Sequence, residues 1–243
     1  MKSGGAMALA AALLFVAGCT INVGDGPRGS IGEMKHETRS VARSAAAKAE
    51  QVSAEIHMGA GELSIEGGAQ ELLDAEFDYN VAEWKPEIRY EGEGGFRGKL
   101  VVRQGAGSVA MGDVKNRWRL KLAEDIPLDL AVHCGAGENR LDLSRLDLRQ
   151  ADVHLGAGRV EMDLRGQPKH DLTVDINGGV GEAKIRVSAD ANVIATARGG
   201  IGEIDVSGME KRNGEYVTGK KMAKATLRLN VKGGIGRIEI RAE

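Results

Sequence analysis

The sequence predicts an all-β protein, a β-solenoid or β-helix-like stack of short strands with glycine corners. Glycine accounts for 35 of the 243 residues, about twice its usual share. A Gly-x-Gly triplet recurs along the chain, and short segments of alternating apolar and polar residues, the pattern of a strand, flank each triplet. An antiparallel β-sandwich, with a hairpin turn at each triplet, is the alternative.

Composition excludes several other classes of protein. Hydrophobic residues make up 42% of the chain, which is enough to form a buried core and excludes a disordered chain. The 33 Lys and Arg residues nearly balance the 35 Asp and Glu residues, for a net charge of −2. Such a chain gains little from the release of counterions on DNA or RNA, so we expect no nucleic-acid partner.

The chain begins with the features of a bacterial lipoprotein signal. Lys2 gives a positive start, and 12 apolar residues follow over 6–17. This run is too short to cross a bilayer, which takes about 20 residues, but is typical of a secretory signal. It ends in Val16-Ala17-Gly18-Cys19, which resembles a lipobox. We expect a signal peptide over 1–18, cleavage between Gly18 and Cys19, and lipidation of Cys19; an ordinary signal with a chance cysteine is the alternative.

Lipidation would hold the mature protein at a membrane. Each buried CH₂ of an acyl chain such as palmitate contributes about 0.8 kcal/mol, and two or more chains give a stable anchor. The glycine-rich residues 19–35 are expected to form the flexible tether that follows the lipidated cysteine. The predicted localisation is extracytoplasmic. Because Thr20 follows Cys19 where Asp is the usual inner-membrane signal, we expect the outer membrane if the host has two.

Six triplets define the repeat, and their glycines are predicted to be structural corners. From Gly137 onward, the last glycines lie 21, 23, 21 and 34 residues apart. Inward apolar positions step by three residues across a triplet, so each corner needs a bulge or bend, where glycine tolerates positive φ. The near-constant period favours stacked rungs over hairpins. The predicted corners are Gly59 and Gly61, Gly135 and Gly137, Gly156 and Gly158, Gly179 and Gly181, Gly200 and Gly202, and Gly234 and Gly236.

The rest of the chain is predicted to form one continuous β structure, with an N-terminal part at 36–125 and the Gly-corner repeats at 126–243. Gly105-Ala106-Gly107 lacks alternating flanks and is interpreted as a loop, and residues 208–225 as a projecting loop. In the N-terminal part, strands are predicted at Phe77–Asn80, Trp84–Glu91, Lys99–Gln104 and Asn116–Leu122.

Three histidines lie two residues before a triplet: His57, His133 and His154. Stacked rungs would place His133 and His154 side by side and pointing outward, where neutral imidazoles could bind Zn²⁺ or another transition metal. The same column continues as Asn177, Arg198 and Lys232, which favours a polar outward ladder. We therefore expect no metal and no cofactor, and keep His133 and His154 as the candidates if a metal binds.

Other positions near the corners have predicted structural roles. Cys134 matches apolar positions of other repeats, so we expect a buried side chain rather than a reactive thiol. Asn139 occupies an otherwise apolar inward position and is expected to hydrogen-bond the backbone at a corner. The charges of Glu138, Arg159 and Glu182 would alternate in sign across neighbouring rungs, with a stabilisation of roughly 0.2–1 kcal/mol per opposed pair.

The chain also resembles a known family in three kinds of segment: His57-Met58-Gly59-Ala60-Gly61-Glu62-Leu63, Trp84-Lys85-Pro86-Glu87, and the later GAG, GGVG and GGIG units. Over about 36–243, these segments resemble the toast-rack family of bacterial envelope proteins, related to LiaF-like cell-wall stress-response domains and to adhesins of similar repeat pattern. The resemblance implies a β-solenoid-like fold, an extracytoplasmic role and no catalytic residues to carry over. Some relatives modulate envelope-stress signalling, but those relatives carry transmembrane helices.

No Ser/His/Asp or Cys/His set can be located in the sequence, and we expect the protein not to be an enzyme. The preferred hypothesis is a non-catalytic, lipid-anchored cell-envelope protein whose β-solenoid surface serves for binding or scaffolding, like an adhesin. Its expected partners are the membrane, through Cys19, and an envelope protein or glycan. An envelope-stress regulatory protein that engages a membrane partner is the alternative, and an envelope carbohydrate hydrolase is a less favoured third.

Overall fold

A computed structural model describes residues 28–93, 96–109, 112–219 and 225–243, so the predicted signal peptide and Cys19 lie outside the described residues. Two 3-10 helices, Arg43–Ala46 and Ala82–Trp84, interrupt a chain of strands. The strands are β1 (Arg28–Gly29), β2 (Ile31–Val41), β3 (Gln51–Gly67), β4 (Leu73–Val81), β5 (Glu87–Glu93), β6 (Arg97–Arg103), β7 (Ser108–Val109), β8 (Asn116–Leu122), β9 (Leu128–Asp142), β10 (Leu148–Leu164), β11 (Leu172–Val187), β12 (Asn192–Ser207), β13 (Glu210–Arg212), β14 (Glu215–Val217) and β15 (Thr226–Ala242).

Six long strands form a stack of parallel rungs in the order β3, β9, β10, β11, β15 and β12. Each rung bends at its triplet, and pairing with the next rung continues on both arms of the bend. The middle residues of the triplets are aligned across the stack, as Ala60, Ala136, Ala157, Val180, Ile235 and Ile201. The predicted β-solenoid-like fold is confirmed. Hairpins, which require antiparallel neighbours, do not join these six rungs.

The core lies between the two arms of the rungs. Along β3, buried side chains alternate with more exposed ones on both sides of the corner, and Ile56 and Ile65 are fully buried. The arms approach closely near the bend, since a Cβ atom on Gly233 would lie 3.3 Å from Cδ1 of Ile238 in the opposite arm. Burial of one branched aliphatic side chain contributes about 1.5–3 kcal/mol, and the stack repeats this contribution in every rung.

The two glycines of a triplet are required for different reasons. The last glycine of all six triplets has φ between 128° and 145°, a conformation that other residues rarely adopt. The first glycine does not have a positive φ, but it lies against the neighbouring rung. A Cβ atom on Gly156 would lie 2.3 Å from the carbonyl oxygen of Gly135. The rungs therefore approach too closely at the corner to accept a side chain there.

One rung is divided between two strands. β6 pairs with the first arm of β3 and β8 with the second arm, both in parallel, and residues 104–107 between them belong to a loop, as predicted for Gly105-Ala106-Gly107. β5 continues the first-arm sheet beyond β6, and β4 and β2 continue the second-arm sheet beyond β8, all by antiparallel pairing. Phe77 and Trp118 pack edge to face between β4 and β8, with 5.2 Å between ring centroids.

Two amide side chains close the corner of β3 on the side of this divided rung. Oε1 of Gln104 accepts a hydrogen bond from the backbone N–H of Gly59 at 3.0 Å. Nδ2 of Asn116 donates to the carbonyl oxygen of Ala60 at 2.7 Å and to Oε1 of Gln104 at 2.9 Å. Oδ1 of Asn116 accepts from Nε1 of Trp118 at 2.9 Å. These side chains therefore form hydrogen bonds with backbone groups of the β3 corner on the side where a loop, and not the corner of another rung, is the neighbour.

The order of the rungs differs from the order of the repeats in the chain. β15 lies between β11 and β12, so the last triplet occupies the position before the fifth. Chain order would place Glu182 beside Glu203, whereas the observed order places Arg237 between them. Opposite charges on neighbouring strands are favourable and like charges are not, which gives a physical reason for the exchange.

The segment predicted as a projecting loop at 208–225 contains a short hairpin. β13 and β14 pair antiparallel, and β14 pairs with β12 at Ile194 and Ala195. The hairpin thus covers the start of β12, and among the described residues the rest of that strand pairs only with β15.

Two predicted boundaries also move. β1 and the first residues of β2 fall within 19–35, the range predicted as tether, because their backbones pair with other strands, β1 with β7 and β2 with β4. The strand predicted at Trp84–Glu91 begins only at Glu87. Trp84 ends a 3-10 helix, and Pro86 has no N–H to donate to a strand neighbour.

Candidate functional site

One column of side chains crosses the outer face of the first arms, two residues before each corner. Hydrogen-bond register places seven residues of seven strands in this column, which we call the basic column: Arg103, His57, His133, His154, Asn177, Lys232 and Arg198. Successive side chains along a strand point to opposite faces of the sheet, so the residues directly before and after each column residue point into the core. Six of the seven side chains are positively charged or become so on protonation, and the seventh is neutral.

The three histidines stack face to face. The ring centroids of His57 and His133 lie 4.8 Å apart and those of His133 and His154 lie 5.0 Å apart, with 4° between the planes in both pairs. The structure thus brings His133 and His154 side by side, as the sequence predicts, and adds His57. Partial burial, and then repulsion from the two flanking imidazoles, lower the pKa of His133.

A broad groove runs along the part of this column from His57 to Asn177. It encloses about 1380 Å³, including volume open to solvent, and its floor is formed by the histidines and the first glycines of the corners. The loop at Gln104–Gly107 forms the wall at one end. A groove of this length and openness is suited to an extended ligand rather than to a compact one enclosed on all sides.

The rings are not arranged to share a metal ion. Among the residues that the structure describes, no group of three or more His, Cys, Asp and Glu side chains has the geometry of a metal site. Zinc needs ligand nitrogens converging to about 2.0–2.1 Å from one point, whereas parallel rings 4.8–5.0 Å apart direct their nitrogens side by side.

The acidic side chains next to the column are already engaged along the sheet. Glu55 accepts from Nζ of Lys99 at 2.8 Å, and this hydrogen bond lowers the pKa of Glu55. Asp175 accepts from Nδ2 of Asn230 at 3.0 Å. Lys232 and Arg198 at the far end of the column form no ion pair within the described part of the chain. The column therefore keeps a net positive end, while the neighbouring carboxylates are neutralised or hydrogen-bonded.

A second surface lies at the corners of the last three rungs. The middle residue of the triplet is alanine in β3, β9 and β10, but Val180, Ile235 and Ile201 in β11, β15 and β12. We call these three residues the corner row. All three are exposed, and Ile201 most of all, at 71%. Contiguous exposed aliphatic residues of this kind are typical of an interaction surface.

A cleft opens beside the corner row. Glycine occupies the position directly before the triplet in the same rungs, as Gly178, Gly233 and Gly199, where earlier rungs carry Met58, Cys134 and Leu155. These glycines line an apolar cleft of about 590 Å³, including volume open to solvent. The corners at this end of the stack are thus more apolar than those of the first three rungs.

The side chains after the corners form a charge ladder of Glu62, Glu138, Arg159, Glu182, Arg237 and Glu203. Within it, Arg159 lies 3.0 Å from Glu182, and Arg237 lies 3.6 Å from Glu203. Behind the ladder, Nδ2 of the buried Asn139 donates to the carbonyl oxygen of Arg159 at 3.2 Å. Cys134 is buried, and burial raises the pKa of its thiol to about 12, so neither residue provides reactive chemistry.

Sequence reasoning did not identify the corner row or Arg103 as part of the basic column. The change from alanine to valine and isoleucine in the middle of the triplets was a usable signal for the row. Arg103 had none, because β6 carries no triplet and its alignment with His57 depends on tertiary pairing.

Comparison with known proteins agrees with this architecture. Residues 30–186 of the chain match the protein-family model described as the N-terminal domain of toast_rack, DUF2154. The crystal structure of a candidate cell adhesion protein from Clostridium sporogenes is 30% identical, covers 87% of this chain and 100% of its own, and superposes with a TM-score of 0.82. A candidate adhesin from Bacteroides fragilis is 11% identical over 87% of this chain and 99% of its own, with a TM-score of 0.33.

Among curated proteins, no sequence matches the chain significantly. Within the described residues, no helix has the length and apolar character to cross a membrane. The family match spans more than half of the 243 residues and includes the corners at Gly59, Gly135, Gly156 and Gly179. The chain therefore belongs to the toast-rack family.

Proposed function

We propose that the protein is a non-catalytic, adhesin-like binding protein of the cell envelope, anchored through acyl chains on Cys19, that holds a protein partner at the corner row. The observation that carries this proposal is the exposed aliphatic row of Val180, Ile235 and Ile201 at the end of the stack. Similarity to the candidate cell adhesion protein of Clostridium sporogenes supports the same class of function.

The surroundings of the corner row support a protein partner. An apolar centre with a polar rim is the usual composition of an interface core. Here the rim includes Arg237, which lies 3.6 Å from both Glu203 and Asp205, so charged side chains of both signs border the row. Beyond Ala195, β12 has a neighbour on one side only within the described residues, and an unpaired strand edge can accept a strand from another chain.

Site-specific crosslinking in intact cells tests the position of the partner. A photoreactive amino acid replaces Ile201, Ile235 or, as a control, Met34, which is 53% exposed on β2 at the opposite end of the sheet. We expect a discrete adduct from positions 201 and 235 and none from position 34. Ile235→Glu should abolish the adduct formed from position 201. Equal adducts from all three positions, or none from 201 and 235, would contradict the proposal.

Fractionation tests the anchor separately. Wild-type protein is expected in the membrane fraction carrying labelled fatty acid, whereas Cys19→Ala should carry no label and appear in the soluble extracytoplasmic fraction. Cys134→Ala is the matched control, because the buried Cys134 is not an acylation site and its loss should change neither result. A wild-type protein without label would refute the lipoprotein anchor while leaving the corner-row test intact.

A further inference from the structure

The basic column has the form of a linear ionic site. Its members occupy successive strands, which lie about 4.8 Å apart, and the stacked histidine rings repeat at 4.8 and 5.0 Å. A row of equally spaced donors across a sheet matches an extended ligand that carries one anionic group per repeat of similar length. A sugar residue in a linear polysaccharide has about this length, so one carboxylate on each sugar would meet one side chain on each strand.

We infer that the basic column binds a linear acidic polysaccharide with one carboxylate per sugar, laid across the strands, and that acidification strengthens the binding. This inference deepens the proposed envelope function, because it names a glycan ligand for a surface distinct from the corner row. Lys232 and Arg198 would hold the ligand at any pH between 5 and 8. His57, His133 and His154 would add positive charge as they are protonated.

Protonation of the stacked histidines is unfavourable in the free protein, and a bound polyanion would make it favourable. Protonating three rings that stack at 4.8 and 5.0 Å places like charges next to each other, which disfavours the charged forms. A carboxylate opposite each ring favours the charged forms instead. Binding must then be accompanied by proton uptake, and by linkage the affinity must rise as the pH falls through the range in which histidine titrates.

The charged groups that face the column permit this behaviour. On the side of β5 and β6, Glu87 pairs with Arg103 at 2.8 Å. On β3, Glu55 lies 3.7 Å from Nε2 of His57 and is held by Lys99. On β10, Asp152 accepts a hydrogen bond from Gln150 at 2.7 Å. On β11, Asp175 is held by Asn230, and β9 contributes the uncharged Ala131 at the corresponding position. Of these carboxylates, Glu87 continues the column by one strand, opposite Arg103, and the others lie on neighbouring positions of the sheet outside the column.

The experiment measures binding of an oligogalacturonate to the purified full mature chain by calorimetry at pH 5.5 and 7.5. We expect binding at pH 5.5 that is roughly tenfold or more tighter than at pH 7.5, the change over these two pH units that follows from net uptake of at least half a proton on binding. A His133→Asn, His154→Asn double variant should lose most of this pH dependence. Asparagine is accepted in the column, because Asn177 already occupies one of its positions.

Three controls make the result specific. His170→Asn removes a histidine outside the column and should leave the pH dependence unchanged. Lys232→Gln with Arg198→Gln should weaken binding at both pH values by a similar factor. A single-stranded oligonucleotide of equal charge should bind more weakly than the oligogalacturonate, because its charges are spaced differently. All variants are first checked for wild-type thermal unfolding, so that loss of binding is not loss of fold.

The inference is overturned if the oligogalacturonate does not bind at pH 5.5, if the double histidine variant keeps the wild-type pH dependence, or if the oligonucleotide binds equally well. The outcome is separable from the proposed function. Ile235→Glu should leave polysaccharide binding intact, and crosslinking from position 201 does not require the histidines. A negative result for polysaccharide binding at the basic column would therefore not contradict the proposed protein partner at the corner row, and a negative crosslinking result would not contradict polysaccharide binding.

Discussion

The side-chain amide of Asn116 donates a hydrogen bond to the backbone carbonyl of Ala60 at 2.7 Å, on the side of β3 where no triplet faces the corner. The same amide accepts from the indole N–H of Trp118, so one buried polar group joins the divided rung to the first complete rung.

Asn116→Leu should destabilise the protein by about 3 kcal/mol, because it leaves the buried indole N–H of Trp118 and the Ala60 carbonyl without partners. Gln104→Ala should cost about 1 kcal/mol, since the N–H of the exposed Gly59 can bond to water instead. Urea unfolding followed by tryptophan fluorescence measures both values. A cost for Gln104→Ala that equals or exceeds that for Asn116→Leu would contradict the assigned roles.

Gly158→Ala should cost at least about 3 kcal/mol. A left-handed backbone costs an alanine about 1–2 kcal/mol, and here the new Cβ would also lie 2.0 Å from the carbonyl oxygen of Gly137. Gly214→Ala is the matched control, because Gly214 also has a positive φ but no atom within 4 Å of the added Cβ. We expect only the backbone cost there, about 1–2 kcal/mol. Similar thermal shifts for the two variants would mean that close approach of the rungs does not matter.

Cys134 should react very slowly with a thiol reagent in the native state. Burial raises the pKa of its thiol to about 12, and the thiolate is the reactive form. In a Cys19→Ala background, labelling at pH 8 should proceed only as fast as the protein opens, and should become rapid in denaturant. Ala136→Cys, at an exposed corner, supplies the positive control. Fast labelling of Cys134 in the folded protein would show that the core is open at this rung.

The stability of the free protein should fall as the pH drops below about 6.5, the ordinary pKa of histidine. The folded-state pKa of His133 is lowered by partial burial and by the neighbouring imidazoles, so the unfolded chain takes up this proton first. The contribution to stability is therefore present above pH 6.5 and is lost as the pH falls. Urea midpoints at pH 8, 6.5 and 5.5 should decline less for His133→Asn than for wild type. An equal decline in both proteins would show that the stacked histidines are not the cause.

Much of the fold follows from the triplets, because a repeated corner with alternating flanks allows few arrangements. The alignment of His133 with His154 follows from the same regularity. The place of β15 does not, since its triplet could pair equally well with either neighbour by pattern alone. The charges of Glu182, Arg237 and Glu203 favour the position of β15 between β11 and β12. This preference becomes visible only when the parallel register of the strands is known.

The side-chain contacts at the β3 corner and the exposed corner row are harder to predict from the sequence than the stack of rungs. Gln104 and Asn116 meet at the corner of β3 although they lie 45 and 56 residues from the groups they bond, and no local pattern marks such a pair. Val180 and Ile235 are exposed although rungs flank them on both sides, so their exposure depends on the direction in which the bend points these side chains, which is a property of the folded corner. Sequence periodicity specifies which residues align, but not where the stack stops.

The insertion of β15 between β11 and β12 also has a consequence for biogenesis. When the ribosome has made β12, its permanent neighbour does not yet exist, so this segment must wait, or pair provisionally with β11 and later be displaced. A polypeptide exported in an extended state would meet the same delay outside the cytoplasm. Completion of these two rungs is therefore tied to arrival of β15, and a chain interrupted before Thr226 would lose two layers of its architecture instead of one.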